Sequence, residues 1–169
     1  VKILPVDSEH NSIFQCFDNN LRENVSHITL TASGGPFLNR SLNSFKEVTV
    51  QEALKHPKWE MGKKISIDSA TLINKALEVI EAGFLFELKS NQINVVIHPE
   101  SIIHGLVHYK DGSVLANLAL PDMISPLSVA IGYPERYNLN LPKLDLTEVS
   151  QLNFLKPDLK KFPGLNFGW

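Results

Sequence analysis

Two short stretches carry residue types from which a metal and anion site can be built. In PVDSEHN, Asp7 and Glu9 stand two apart, so in extended chain both carboxylates leave the same face. Like charges that close repel unless a proton or a cation lies between them. A hard, oxygen-seeking ion such as magnesium or manganese is the natural occupant. The plainer reading makes Asp7 or Ser8 the cap of a helix through HNSIFQCF and leaves Glu9 facing water. Both readings stand on this motif alone. A further carboxylate brought close by the fold would favour the ion and leave it open positions for a substrate.

The second stretch is SIDSATLINKALEVIE, residues 66–81. Ile73, Ala76, Leu77 and Ile80 recur at helical steps and predict a long amphipathic helix from about 69 to 88. Thr71, Asn74, Lys75 and Glu78 form a polar stripe on another face, with Asp68 or Ser69 where the first turn would be capped. Ser69, free first-turn amides, Asn74 and Lys75 together suit a phosphate. Glu78 lies one turn beyond Asn74, roughly 6 Å along the axis, where it can face a metal. The neighbouring GKK at 62–64 adds basic charge. A solvated face is the ordinary alternative for such a stripe.

Further groups follow from the turns and loops. SGGPF at 33–37 comes straight after a predicted strand, where two glycines let backbone amides turn toward an anion and Ser33 adds a hydroxyl. As a lone Gly-Gly-Pro it reads equally as a tight turn. HPKWEMG at 56–62 lacks periodicity and presents His56, Trp59 and Met61, which suits a mobile lid over a ligand; a buried Trp59 is the alternative. His98, His104 and His108 lie in or beside strands without zinc-site spacing and read as sheet histidines, with His104 and His108 on one face. The chain has no GxGxxG fingerprint after a strand.

These residues need a scaffold, and the pattern predicts one of mixed type. Strands are expected at KILPVD, HITLTA (27–32), INVVIHP (93–99), IIHGLVHY (102–109) and SVLANLAL (113–120), with KDG turning the last two into an antiparallel hairpin. A helix runs through Ile13, Phe14 and Phe17, and 41–64 is loop-rich with one short helical piece. From Pro134 the period fades into an extended connecting segment. A hydrophobic share of 43% over 169 residues supports one sizeable core, and a net charge of −2 argues against a broad nucleic-acid surface. No apolar run of membrane-spanning length occurs, and VKILPVDSEH has no signal-peptide pattern. The single cysteine, Cys16, rules out an internal disulfide framework and fits a reducing compartment. The start at Val1 within a predicted strand and the stop at Trp169 read as those of a fragment.

ILPVDSEHNSIFQC, LTASGGPF, HPKWEMGKKISIDSATLINKALEVIEA, VVIHPESIIHGLVHYKDGSVLANLALPDM and LDLTEV closely resemble the deoxyxylulose-phosphate reductoisomerase family of the non-mevalonate isoprenoid pathway. The resemblance spans nearly the whole chain. It implies that Asp7, Glu9 and Glu78 ligate magnesium or manganese. Ser33, Ser69, Asn74 and Lys75 would hold the substrate phosphate, helped by His56. Ser8 would touch the substrate backbone, the loop bearing Trp59 and Met61 would be the lid, and Met123 would lie at the nicotinamide end. Asp7, Glu9, Glu78 and His56 are thus the expected catalytic set.

The resemblance also implies an α+β fold, a mainly antiparallel sheet with helices on one face, similar to the catalytic domain of glyceraldehyde-phosphate dehydrogenase. It divides the chain into a central catalytic domain at 1–133, a connecting segment at 134–158 and the start of a C-terminal helical domain at 159–169. The family's N-terminal NADPH domain and an upstream lysine would lie outside these residues, so the isolated chain is expected to be inactive alone. The reaction implied for the intact enzyme converts 1-deoxy-D-xylulose 5-phosphate to 2-C-methyl-D-erythritol 4-phosphate with NADPH. A homodimer, sensitivity to phosphonate-hydroxamate inhibitors, and a bacterial cytoplasmic or plastid-type location are implied too, with neither nucleic acid nor membrane as partner. Two rivals are a module serving assembly alone and an unrelated metal-dependent phosphosugar enzyme.

Overall fold

The computed structural model describes residues 2–169. Its frame is a sheet of four strands, β1 (Val25–Ala32), β2 (Ile93–Ile97), β3 (Ile103–Tyr109) and β4 (Val114–Leu118), in the order β2-β1-β3-β4. β3 pairs antiparallel with both β1 and β4, and Gly112 at φ +90° closes the KDG hairpin. β1 and β2 are parallel. The sheet is therefore mixed, not mainly antiparallel. The intervening helices return the chain so that β2 runs beside β1 in the same direction, as a long crossover allows and a hairpin does not. The α+β class holds.

Among the described residues six α-helices accompany the sheet: α1 (Ser8–Cys16), α2 (Val50–Ala53), α3 (Lys63–Ala70), α4 (Ile73–Leu85), α5 (Ile124–Gly132) and α6 (Leu146–Val149). α1 packs on β3 and β4 and α4 on β1 and β2. Gly105 admits α1 closely, because a Cβ there would stand 2.8 Å from Ile13 Cδ1. Ile13, Ile28, Leu30, Val107, Ile93, Ile97 and Val79 fill the resulting core. Each such side chain contributes on the order of 1.5–3 kcal/mol by leaving water.

The predicted strand at KILPVD does not form: residues 2–6 are irregular. Pro5 lacks an amide donor, and its carbonyl is held by the Asn11 side chain at 2.9 Å. The predicted helix at 69–88 is two helices. Leu72 adopts a left-handed conformation at φ 58°, which ends α3 and redirects the chain into α4. Ser69 and Asp68 consequently lie at the end of one helix and do not cap the next. The inward face of α4 also differs from the apolar stripe: Leu77 and Ile80 are exposed, while Lys75 and Glu78 are buried beside Ala76 and Val79.

The closing segment joins the same core. Phe162 and Leu165 are buried, and Gly168 rests on Ala76 and Val79 of α4, where a Cβ would come within 3.0 Å of Val79 Cβ. Among the described residues no helix is long and apolar enough to cross a membrane.

Candidate active site

A cleft of about 430 Å³ opens where the start of α1, the end of β1, the end of α3 and the first turns of α4 meet. Asp7, Ser8, Glu9, Ser33, His56, Trp59, Ser69, Asn74, Lys75, Glu78 and Met123 all line it. These residues thus reach one space, although they come from segments more than a hundred positions apart.

At its acidic end, carboxylate oxygens of Asp7, Glu9 and Glu78 lie within 4.8 Å of one another. Asp7 precedes α1 but makes no side-chain cap hydrogen bond, so the capping alternative does not describe it. Burial and the nearby Glu9 charge push the Asp7 carboxyl up to about 8. Burial and Glu9 likewise hold Glu78 well above the ordinary carboxylate range. Burial would raise Glu9 as well, but the Lys75 ammonium and hydrogen bonds from Asp7, Lys75 and Ser8 outweigh it and hold Glu9 low. The cluster therefore carries more carboxylate than its surroundings neutralise, and oxygen donors in this number fit a magnesium or manganese ion.

Lys75 occupies a place that the helical stripe alone does not disclose. Its ammonium donates to Glu9 Oε1 and Glu78 Oε2, each at 2.6 Å. Burial alone would lower Lys75, yet the Glu78 and Glu9 charges prevail and raise it. Asn74 Nδ2 donates to Glu78 Oε1 at 2.6 Å. The stripe's amide and ammonium thus lean on the carboxylate one turn away, because three- and four-residue steps bring side chains together. Thr71 is exposed and bonds back to Ile67 and Asp68, while Asp68 pairs with Lys64. Neither belongs to the cleft lining.

The other end is rich in hydroxyl and amide donors. Gly34 and Gly35 take φ of 87° and 65°, and Gly35 lies against α3 so closely that a Cβ would meet Ser69 O at 2.9 Å. This places Ser33 and Ser69 on the same cleft. His56 Nδ1 accepts from the amides of Lys58 and Trp59, at 3.2 and 2.9 Å. Its proton therefore sits on Nε2, which donates to Ser33 Oγ at 2.9 Å. Burial lowers His56 and favours this neutral form. Ser33 Oγ also accepts from the Gly35 amide at 3.3 Å, so its own hydrogen remains available to an anion.

Residues 55–62 have no regular helix or strand, and Trp59 stands edge-on to His104 at 6.2 Å between ring centroids. His104 is the group that sequence reasoning assigned to the sheet and missed. A bulge between Ile103 and Gly105 interrupts the β3–β4 register, and bulges re-aim side chains. His104 Nδ1 lies 3.2 Å from Ser8 Oγ on α1, whereas His108 lies 3.0 Å from Thr29 and stacks on His27. The two do not share a face. Burial lowers His104, leaving a neutral imidazole beside the hydroxyl that donates to Glu9 at 2.6 Å. Ser101 also lines the cleft, at φ 55°; no local pattern marks it.

Comparison with known proteins gives a consistent result. Residues 3–86 match the family described as 1-deoxy-D-xylulose 5-phosphate reductoisomerase C-terminal domain, and residues 118–169 match that described as DXP reductoisomerase C-terminal domain. The chain is 57% identical over 169 residues to the 1-deoxy-D-xylulose 5-phosphate reductoisomerase of Clostridium tetani, and 54% over 164 residues to that of Persephonella marina. These alignments cover 100% and 97% of this chain but 44% of each relative, so the chain spans less than half the length of the curated relatives it matches. A crystal structure of DOX-P reductoisomerase in complex with NADPH, fosmidomycin and magnesium superposes with a TM-score of 0.94 at 48% identity, covering 99% of this chain and 43% of that one. The Zymomonas mobilis enzyme in complex with NADPH gives 0.90 at 45%, covering 98% and 42%.

Proposed function

The chain belongs to the 1-deoxy-D-xylulose 5-phosphate reductoisomerase family, and on that premise we propose that it carries the metal and sugar-phosphate site of such an enzyme. The reaction is the NADPH-dependent conversion of 1-deoxy-D-xylulose 5-phosphate to 2-C-methyl-D-erythritol 4-phosphate in isoprenoid synthesis. The supporting observation is the meeting of Asp7, Glu9 and Glu78 in the same cleft as Ser33, His56, Ser69 and Asn74.

Asp7, Glu9 and Glu78 would hold magnesium or manganese, and their crowding favours a cation there. When bound, such an ion supplies Lewis acidity toward the substrate's oxygens. Ser33, donating its free hydrogen, joins Ser69, Asn74 and His56 in fixing the phosphate, and Lys75 adds positive charge from its place between Glu9 and Glu78. Anchoring the phosphate positions the reacting carbons, so that binding energy remote from them serves the rearrangement. Ser8 approaches the substrate backbone. Trp59 and Met61 cover the cleft and keep water from the carbonyl product before reduction, and Met123 borders the end assigned to the nicotinamide.

This reading separates from another metal-dependent phosphosugar enzyme by selectivity. With Mg²⁺ present, 1-deoxy-D-xylulose 5-phosphate is expected to raise the thermal midpoint clearly more than ribose 5-phosphate does. An equal response to both sugars would contradict it. A role in assembly is a compatible second reading, supported by apolar side chains left uncovered at Val114, Leu115, Ile124 and Ile131. A mass that rises with concentration in sedimentation is expected for a dimer, and a constant monomer mass would remove that role.

A further inference from the structure

The imidazole of His10 lies outside the lining of the cleft and has a role in neither phosphate nor substrate binding as described above. It is fully buried. Its Nε2 lies 2.9 Å from the Glu78 backbone carbonyl. A carbonyl only accepts, so Nε2 carries a proton, and in the neutral imidazole Nδ1 presents a lone pair. That Nδ1 has no hydrogen-bond partner among the described residues. Glu81 Oε2 stands 3.7 Å away, too far for a hydrogen bond. The separation suits two donors on one ion, since ligand atoms about 2.1 Å from a metal stand roughly 3–4 Å apart. Ligand atoms of Asp7, His10 and Glu81 all lie within 4.8 Å of one another.

We propose that Asp7, His10 and Glu81 form a second divalent-cation site, sharing Asp7 with the carboxylate cluster. It rests on the proposed metal reading only through that shared residue. The local sequence prepares it twice: Asp7 and His10 are three apart at the start of α1, and Glu78 and Glu81 are three apart on α4. α4 thereby aims one ligand at each site, while the start of α1 gives Glu9 to the first, His10 to the second and Asp7 to both, the spacing by which helices build paired carboxylate and histidine sites. Asp7 has two oxygens and can serve both ions. The Glu78 carbonyl, by fixing the His10 tautomer, acts as the outer partner that metal-bound imidazoles ordinarily have. One imidazole with two carboxylates favours Co²⁺, Zn²⁺ or Mn²⁺ over Mg²⁺. Glu81 is 52% exposed, which leaves a path for ion entry.

Equilibrium dialysis of the full chain against Co²⁺ and, separately, Mg²⁺ tests this, with bound metal counted by atomic absorption. Two Co²⁺ and a single Mg²⁺ per chain are expected. Glu81→Gln should lose one Co²⁺ and leave Mg²⁺ unchanged. His10→Gln, whose amide can still donate to the Glu78 carbonyl, should do the same; if it fails to fold, Glu81→Gln decides. One Co²⁺ in the parent, unchanged in Glu81→Gln, overturns the second site and spares the first. Two Co²⁺ retained by Glu81→Gln also overturns it. No metal of either kind in the parent overturns both sites.

Discussion

Lys75 Nζ lies 2.6 Å from Glu78 Oε2, one turn along the same helix, with side chains only 5% and 4% exposed. The ammonium also reaches Glu9 at 2.6 Å, so one lysine compensates two carboxylates of the cluster. Removing it leaves buried charge unpaired, a loss on the order of 3–5 kcal/mol. We predict that Lys75→Met lowers stability by about that amount in urea unfolding without divalent ions, and that Mg²⁺ restores part of it by supplying the missing charge. An equal loss with and without Mg²⁺ would detach Lys75 from the metal cluster.

The protonation of the cluster sets the pH dependence of metal binding. With Asp7 pushed up to about 8 and Glu78 raised, an ion entering at neutral pH displaces protons. Affinity for Mn²⁺ should climb about tenfold per pH unit for each proton displaced between pH 6 and 8, then flatten. Titration calorimetry in buffers of different ionisation heat reads the proton release directly. An affinity independent of pH would show these carboxyls to be already ionised.

The same shifts act on folding without metal. Asp7 binds its proton more tightly folded than unfolded, so its contribution is complete below 3.8 and disappears as pH rises through about 8. Glu78 acts in the same direction. Glu9, held low, contributes in the opposite sense, with stability lost progressively as pH falls below 4.5. Between pH 6 and 8 the thermal midpoint of the metal-free chain should therefore fall, and saturating Mg²⁺ should reduce the slope. A midpoint that rises over this interval contradicts the assignment.

Gly35 links the proposed anion end to its support. Its φ of 65° and the 2.9 Å from an added Cβ to Ser69 O mean that Gly35→Ala strains the backbone and also drives the SGGPF turn from α3. Gly112→Ala is the control, with φ +90° but no atom within 4 Å. Both should lose roughly 1–3 kcal/mol from backbone strain, while Gly35→Ala alone should weaken inorganic phosphate binding, by about tenfold or more. Equal phosphate affinity in the two variants would separate this turn from the anion site.

Much of the candidate site was legible because its residues sit in local motifs. Asp7 with Glu9, Asn74 with Glu78, and Ser33 before two glycines are each readable within a few residues. Their convergence is tertiary and was supplied by the family resemblance. What stayed hidden depends on single backbone events. Leu72 in the left-handed region divides one expected helix into two, and leucine gives no warning of it, since that conformation favours glycine. The bulge at His104 turns a sheet histidine into a cleft residue without any compositional mark. The β1–β2 pairing is long-range, so the hairpin between β3 and β4 could be read from KDG while the parallel pair could not. Lys75 and Glu78 were readable as polar, but their burial was not, because periodicity ranks side chains by hydropathy and overlooks ion pairs.

We propose above that these residues assemble a metal-dependent site for a phosphorylated sugar. Calorimetric titration of fosmidomycin into the Mn²⁺-saturated chain, with Glu78→Gln alongside, tests it most directly. Tight binding that requires Mn²⁺ is expected in the parent, and a loss of at least about tenfold in the variant, whose fold is retained by circular dichroism. Equal affinity in parent and variant, or no binding by a folded parent, would contradict it.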